Sequence, residues 1–443
     1  WALNIPSILG FATLLTIIYL FAKKVFESKT VGILSVLFFL FNGSLSFIDF
    51  FIKHPLGIHT FTDIVTNRTF SSFGPYDKGI VSAFWNLNIY TNQRHLAPAY
   101  ALSLFIIGAF LFHSFTKRKP HHIFIISIGI IFGLSFFFHM AAFMITGVVL
   151  AGFFLLYKDL RKPIIYTFMI AALFAIPEYL YLKTGSPGGG FAISFVPGYL
   201  IYGNLTLINF FHYWFANLGL HSVLMFIGVY KAPMHIRKIF FAIFPVFIIG
   251  NLLQFSPEMA ANHKFFNFFM IIASMFSAYA IVVLWKKKSV VVKPVICLLT
   301  FLLIFSGIID FFPVTNDDYI TLADYPVNKD IQWIRDNTPL HANFFTTNYL
   351  YDTANLAGRN IFLGWPYFPW SAGYDTTARS QEIKDVLASQ DKTTVCNFMQ
   401  THQLDYISLT NPSEDFPFSF VFFKENFRET YRSETVTIYS VEE

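Results

Sequence analysis

Three short polar runs interrupt an otherwise apolar chain, and their residue types suit the handling of phosphate. Gln93-Arg94-His95 stands immediately before Leu96-Ala97-Pro98, His139 sits between two apolar stretches, and Asn262-His263-Lys264 opens another. An arginine stays charged and presents a planar fork of donors, so at a membrane edge it seeks an anion or a carboxylate. Arg94, crowded by Gln93 and His95, reads as a clamp for a lipid phosphate or diphosphate, or as an interfacial arginine paired with headgroups. Lys264 at a helix start meets the positive end of the peptide dipoles. Something anionic should compensate it, either Glu258 or a bound phosphate. His139 reads as a site residue if its neighbours cross a bilayer, because ionisable groups are costly there; the alternative is a histidine that merely closes a turn.

Other side chains offer weaker chemistry. Asp49 belongs to a long polar connection with His54, Asp63, Arg68 and Asp77, and reads as a base, a metal ligand or a solvated loop carboxylate. Near the end, Gly364-Trp365-Pro366-Tyr367-Phe368-Pro369-Trp370, followed by Tyr374 and Arg379, offers rings that stack on a sugar or dock a soluble domain on a membrane. His212 and Trp214 read as residues of an interfacial aromatic belt. The sequence has no P-loop, no GxGxxG opening a helix, no HExxH and no cysteine pair at zinc spacing, which argues against ATP-driven transport and metalloprotease chemistry. Cys297 and Cys396 imply no disulfide framework. No basic patch carries interleaved aromatics, so nucleic acid is not a partner.

The elements that must position these groups follow from composition. The 443 residues are 55% hydrophobic and 13% charged, with 58 phenylalanines. Soluble chains carry about twice that charged fraction. A span needs about 20 apolar residues. By that ruler, apolar segments lie near 1–22, 30–48, 96–115, 123–138, 140–156, 164–182, 208–230, 239–255, 265–285 and 290–312, which predicts about ten spans. Every second connection is basic: Lys23, Lys24 and Lys29; Lys117, Arg118 and Lys119; Lys158, Arg161 and Lys162; Lys231, Arg237 and Lys238; Lys286, Lys287, Lys288 and Lys293. The positive-inside rule makes these cytoplasmic and puts both Trp1 and the C-terminal tail outside. Residues 123–156 then form a shallow hairpin with Phe138-His139-Met140 at its turn, tolerated where it lines a cavity. The connection 183–207 contains Ser186-Pro187-Gly188-Gly189-Gly190, flexible by its glycines, and 206–217 is amphipathic.

After Pro313 the apolar runs shorten. Helices are predicted over 328–337 (with Asn328 as N-cap), 376–389 and 393–402, and strands over 342–347, 360–364, 406–410 and within 430–441. That alternation predicts a small α/β domain with a partly parallel sheet. The chain opens Trp-Ala-Leu-Asn without Met or a basic leader, so the expectation is that the natural N-terminus, with one or more spans, lies upstream. Three sequons, at Asn42, Asn67 and Asn204, fall on or near the outer face.

The pattern resembles the GT-C superfamily of integral-membrane glycosyltransferases, and within it large bacterial and archaeal GT-C-like membrane proteins. The resemblance is carried by Gln93-Arg94 before a span, by Gly133 and His139 in a short span, by Asn262-His263-Lys264, and by Gly364-Trp365-Pro366 with a downstream Arg379. It implies an α-helical polytopic membrane domain over 1–312 and a soluble extracytoplasmic α/β domain over 313–443. It further implies transfer of a sugar, with inversion, from a polyprenyl-phosphate donor to an extracytoplasmic acceptor. Gln93, Arg94, His95, His139, Asn262 and Lys264 would surround the lipid phosphate, and Trp365, Tyr367, Trp370 and Arg379 would contact sugar or membrane. The superfamily places its catalytic acid after the first span, which here is expected upstream, so Asp49 is only a nominal catalytic carboxylate. Membrane lipid and a polyprenyl-phosphate-sugar are the implied partners; no cofactor is demanded and a divalent metal is left open. The competing readings are a transporter or flippase of a lipid-linked or polar solute, and a non-catalytic membrane assembly protein.

Overall fold

The computed structural model describes residues 4–72, 79–117, 120–184, 193–201, 203–287, 291–317, 327–347, 351–371, 374–410 and 418–441. Asp77, Arg118, Lys119, Lys288 and the run Ser186-Pro187-Gly188-Gly189-Gly190 lie outside the described residues. The chain divides into two compact units, one comprising Trp1–Gly185 and Ala192–Asp317, the other Ser186–Phe191 and Asp318–Glu443.

The first unit is helical: α1 (Asn4–Val25), α2 (Lys29–Leu40), α3 (Ser46–Lys53), α4 (Thr60–Val65), α5 (Asn88–Asn92), α6 (Leu96–Thr116) and α7 (His122–Phe138). It continues through α8 (Met140–Leu156), α9 (Arg161–Thr184), α10 (Leu207–Leu218), α11 (His221–Lys231), α12 (Met234–Leu252), α13 (His263–Trp285) and α14 (Val292–Thr315). A two-residue ribbon pairs β1 (Ser194–Phe195) with β2 (Leu253–Gln254).

Each predicted apolar segment contains helix, yet only α1, α6, α9, α12, α13 and α14 are long and apolar enough to cross a membrane alone, among the described residues. The bent pair α10 and α11 would make a seventh. The expected ten spans are reduced by local breaks with identifiable causes. The segment 30–48 stops at Leu40 because the Asn42 side chain accepts from the Ser44 backbone N–H at 3.1 Å, a turn that competes with helix. The segment 208–230 bends by 85° at Gly219, whose φ of +52° suits glycine and where a Cβ would run into the Gly43 carbonyl. Residues 123–156 break at His139 into the two 17-residue arms α7 and α8.

Packing explains the order of these helices. Lipid tails supply no hydrophobic drive between helices, so close approach of small residues must do so. On α7, Gly129 and Gly133 share one face, and a Cβ on Gly133 would lie 2.7 Å from the Ala171 carbonyl oxygen of α9. The backbones of α7 and α9 therefore lie in contact. By contrast α13 is enclosed by α2, α11 and α12 and is the most buried of the spans. Its N-terminal end carries His263 and Lys264. Trp214, expected in an aromatic belt, is instead buried: its indole N–H donates to Asn251 Oδ1 at 2.9 Å, and its ring packs on Tyr199 and Phe266. His212 on the same helix is exposed.

The second unit holds α15 (Lys329–Asn337), β3 (Asn343–Thr346), α16 (Thr353–Leu356), β4 (Asn360–Ile361), α17 (Tyr367–Ser371), α18 (Thr377–Ser389), α19 (Lys392–Thr401), β5 (Tyr406–Leu409), α20 (Phe420–Asn426), β6 (Arg428–Arg432) and β7 (Thr437–Ser440). The strand order is β4-β3-β5-β7-β6, with β3 parallel to β4 and β5, and β7 antiparallel to β5 and β6. Adjacent strand residues face opposite sides. Phe345 enters a core with Ile383, Phe398 and Phe423 from α18, α19 and α20, whereas Phe344 joins Ile331 and Ile334 of α15. Asn328 caps α15 by accepting from the Ile331 N–H at 3.0 Å. The unforeseen helices are α16, α17 and α20, each of seven residues or fewer and too short to show a helical period in the sequence.

Candidate functional site

The starts of three helices converge in the first unit. His95 immediately precedes α6, His139 caps α8, and His263 opens α13 after a 3-10 turn. The His95 and His139 rings stand 5.1 Å apart, and Gln93 Nε2 lies 3.1 Å from His263 Nε2. The Tyr100 hydroxyl, one turn into α6, donates to the Lys264 carbonyl at 2.6 Å and locks α6 to α13. Each helix start presents unpaired N–H groups and a partial positive charge, a combination that favours anions.

A backbone hydrogen bond assigns the His139 ring proton. His139 Nδ1 accepts from the Ala142 N–H at 3.1 Å, so its proton resides on Nε2, which is buried and unpartnered. Gln93 Nε2 lies 3.1 Å from His263 Nε2, and Asn267 Nδ2 lies 3.4 Å from its Nδ1; a neutral imidazole accepts at only one of its two nitrogens. Phe84 stacks on that imidazole at 5.0 Å. Gln93 Oε1 is a second buried polar atom lacking a partner. Lys264 lies within Coulombic reach of His95, His139 and His263. Burial first, and then that ammonium, hold His95 below the ordinary imidazole value. The alternative partner for Lys264 is Glu258; it acts at a distance but makes no ion pair with the lysine among the described residues. The cluster thus gathers an ammonium, an imidazole N–H and three helix starts, and among the described residues no carboxylate is ion-paired with the ammonium.

The other residues expected here have different occupations. Arg94 turns away, donating to Asn4 Oδ1 of α1 at 2.8 Å on an exposed surface. Asn262 donates to the Gly250 and Leu253 carbonyls at 3.0 and 2.5 Å, so its amide closes the C-terminal end of α12. Asp49 stands on α3, which packs on α14, and none of the cluster's contacts involves it. Its carboxyl is raised above the ordinary range by burial, with Lys53 pulling the other way. In the second unit Trp365, Tyr367 and Trp370 are partly exposed after Gly364, whose φ is +65°. Arg379 donates to the Phe362 carbonyl at 2.8 Å and lies 4.9 Å over the Phe362 ring, which fixes the strand before the aromatic loop.

The structure adds residues that sequence reading passed over. Asn267 follows His263 by one turn, a spacing legible once α13 is known to be a helix. A separate buried network joins Asp310 of α14 to Ser46 at 3.3 Å, and Ser306 to the Ser44 carbonyl at 2.5 Å. Nearby, Asn217 accepts from the Trp85 indole and from the Ser82 N–H. A carboxylate inside the last apolar run was the available signal for Asp310. Asn42 and Asn67 are buried and turn their side chains onto their own sequon backbones at Ser44 and Thr69, while Asn204 is exposed. No group of three His, Cys, Asp or Glu side chains is arranged to hold a metal among the described residues.

No family model and no curated protein matches the sequence. Among solved structures, an oligosaccharyltransferase from Archaeoglobus fulgidus, determined with zinc and sulfate, is similar at 15% identity and a TM-score of 0.52 over 92% of this chain. The chain spans 55% of that enzyme's length. ArnT from Cupriavidus metallidurans, determined with undecaprenyl phosphate, is similar at 8% identity and a TM-score of 0.48, over 99% of this chain and 84% of its own. The likeness to that oligosaccharyltransferase shows a shared fold.

Proposed function

We propose that this protein is a GT-C-type glycosyltransferase that takes a sugar from a polyprenyl-phosphate donor and delivers it to an extracytoplasmic acceptor. The observation that carries the reading is Lys264, an ammonium without an ion-pair partner among the described residues, set among three helix starts and the free Nε2–H of His139. Such a cluster suits the phosphate that leaves as its sugar departs. In the reaction, the acceptor hydroxyl oxygen bonds to the anomeric carbon from the face opposite the phosphate. The carbon–oxygen bond to phosphate breaks, and the electron pair leaves with the phosphate oxygen. The hydroxyl proton passes to a carboxylate acting as base. Lys264 and His139 would stabilise the charge growing on the leaving group, with Gln93 and His95 lining the pocket. Asp49 is the nominal carboxylate to test. Arg94 would serve from the rim, and the Trp365, Tyr367 and Trp370 loop with Arg379 behind it would offer rings to a sugar or to the membrane.

By the alternation of the basic loops, the C-terminal unit would face the outside of the cell. The rival transporter reading draws on the bend between α10 and α11, but Asn217 there is committed to the Tyr213 and Ile80 carbonyls at 2.8 and 2.9 Å. A test is the titration of purified protein with undecaprenyl phosphate. Charge-assisted hydrogen bonds contribute about 1.5–3 kcal/mol, so Lys264→Ala should weaken binding about 10- to 100-fold. Unchanged affinity in a folded Lys264→Ala protein would sink the assignment.

A further inference from the structure

Four of the five basic loops, scattered along the sequence, meet at one place in the fold. They frame a cavity of about 1050 Å³ at the end of α6 opposite the candidate site. The 21 residues of α6, at about 1.5 Å each, put the two ends about 30 Å apart. Lys24 comes from α1, Lys117 from the end of α6, Lys158 and Lys162 from the turn into α9, and Lys238 from the first turns of α12. Against these five ammonium groups the cavity wall offers the carboxylates Glu27 and Asp159. Among the described residues none of the five is ion-paired.

The cavity floor is aromatic. Tyr157 is buried there, anchored by its hydroxyl donating to the His235 carbonyl at 2.8 Å, and Lys238 Nζ stands 5.2 Å over its ring. One wall is formed by Ile125 of α7 and Tyr166 of α9. Tyr166 and its neighbour Ile165 are exposed and apolar, so this wall continues onto the lipid-facing surface. A site with a cationic rim, an aromatic floor and an apolar exit along two helices matches a phosphate headgroup whose acyl chains remain in the bilayer. A soluble phosphate would use the rim and leave the exit unused.

We propose that this cavity binds the phosphate headgroup of an anionic membrane lipid, at a site separate from the donor pocket. By the loop charges the cavity belongs to the cytoplasmic leaflet, where anionic lipids concentrate. Ordinary positive-inside bias accounts for lysines near that surface, but not for their convergence from four separate loops on one concavity. Clustered ammonium groups repel one another, and a headgroup phosphate relieves that repulsion.

The test uses the full chain, purified and delipidated, titrated with short-chain phosphatidylglycerol, phosphatidylcholine and inorganic phosphate. Two double variants each remove two positive charges: Lys117→Gln with Lys158→Gln in the cavity, and Lys286→Gln with Lys287→Gln in a basic loop outside it. Two lysines near a membrane surface together account for about tenfold or more in affinity. The cavity variant should lose phosphatidylglycerol binding by that factor while the control changes less than about twofold. Equal losses in both variants would mean diffuse surface attraction and overturn the proposal. So would equal binding of phosphatidylcholine and phosphatidylglycerol. If inorganic phosphate binds and phosphatidylglycerol does not, the occupant is a soluble anion and the lipid assignment fails. Undecaprenyl phosphate binding at Lys264 should persist in the cavity variant, so failure here is distinguishable from failure of the donor assignment.

Discussion

The two ends of α6 both concentrate positive charge, by opposite means. At its start the charge is sparse and largely enclosed: Lys264, the Nε2–H of His139, and the backbone N–H groups of three helices. At its end five lysines stand around an open cavity, most of them exposed to solvent. A buried cation is poorly screened and demands a specific counter-charge; an exposed one is shielded by salt within about 10 Å. One end is therefore suited to a defined phosphate in a defined pose, the other to a class of headgroups.

Salt separates the two ends most sharply. Raising ionic strength from about 50 to 500 mM should weaken phosphatidylglycerol binding at the cavity by about tenfold or more, with less than about threefold change for undecaprenyl phosphate. Parallel titrations of the two lipids measure this, and equal slopes would erase the distinction. His139 offers a smaller, two-part effect. His139→Asn keeps a side-chain acceptor for the start of α8 but removes the Nε2–H, so undecaprenyl phosphate binding should weaken severalfold while the melting temperature holds. His139→Ala also loses the cap and should cost about 1 kcal/mol of stability. A fall in melting temperature without any loss of lipid affinity would leave His139 as a turn-closing residue. The smallest effect is expected at Arg94. Its partner Asn4 is exposed, so Arg94→Gln should alter undecaprenyl phosphate affinity less than about twofold, measured by the same titration. A loss as large as that of Lys264→Ala would show that Arg94 swings into the pocket when lipid binds.

Much of the architecture was readable in advance, for reasons that differ between the units. In the tail, the Asn328 cap and the alternation within 430–441 reflect local chemistry, and the predicted helices and strands formed within a few residues of expectation, while α16, α17 and α20 were not foreseen. The order of the sheet was not legible, since a parallel neighbour such as β5 beside β3 is chosen by pairing across about 60 residues of chain. In the helical unit hydropathy located every apolar segment but not its continuity. Gly219 and the Asn42 turn are single positions whose effect depends on what lies beside them.

The candidate site shows the same division. Gln93, His95, His139 and Lys264 were marked by position alone, because polar groups at the rims of apolar runs are costly without a task. Asn262 carried the same mark but serves α12. The neighbouring Arg94 left the group for α1. Adjacent residues on a turn point in different directions, and no composition or spacing rule reveals which.

By itself the amino-acid sequence determined that this chain carries membrane-spanning helices, which ends of its helices are basic, and where the long apolar runs give way to a small α/β unit. These are properties of transfer energy and charge, summed over short windows. Tertiary structure alone decided that three helix starts meet around Lys264 and that four distant basic loops close on one cavity. Those outcomes depend on close approach, such as Gly133 against the Ala171 carbonyl, and such contacts join residues that the chain keeps far apart.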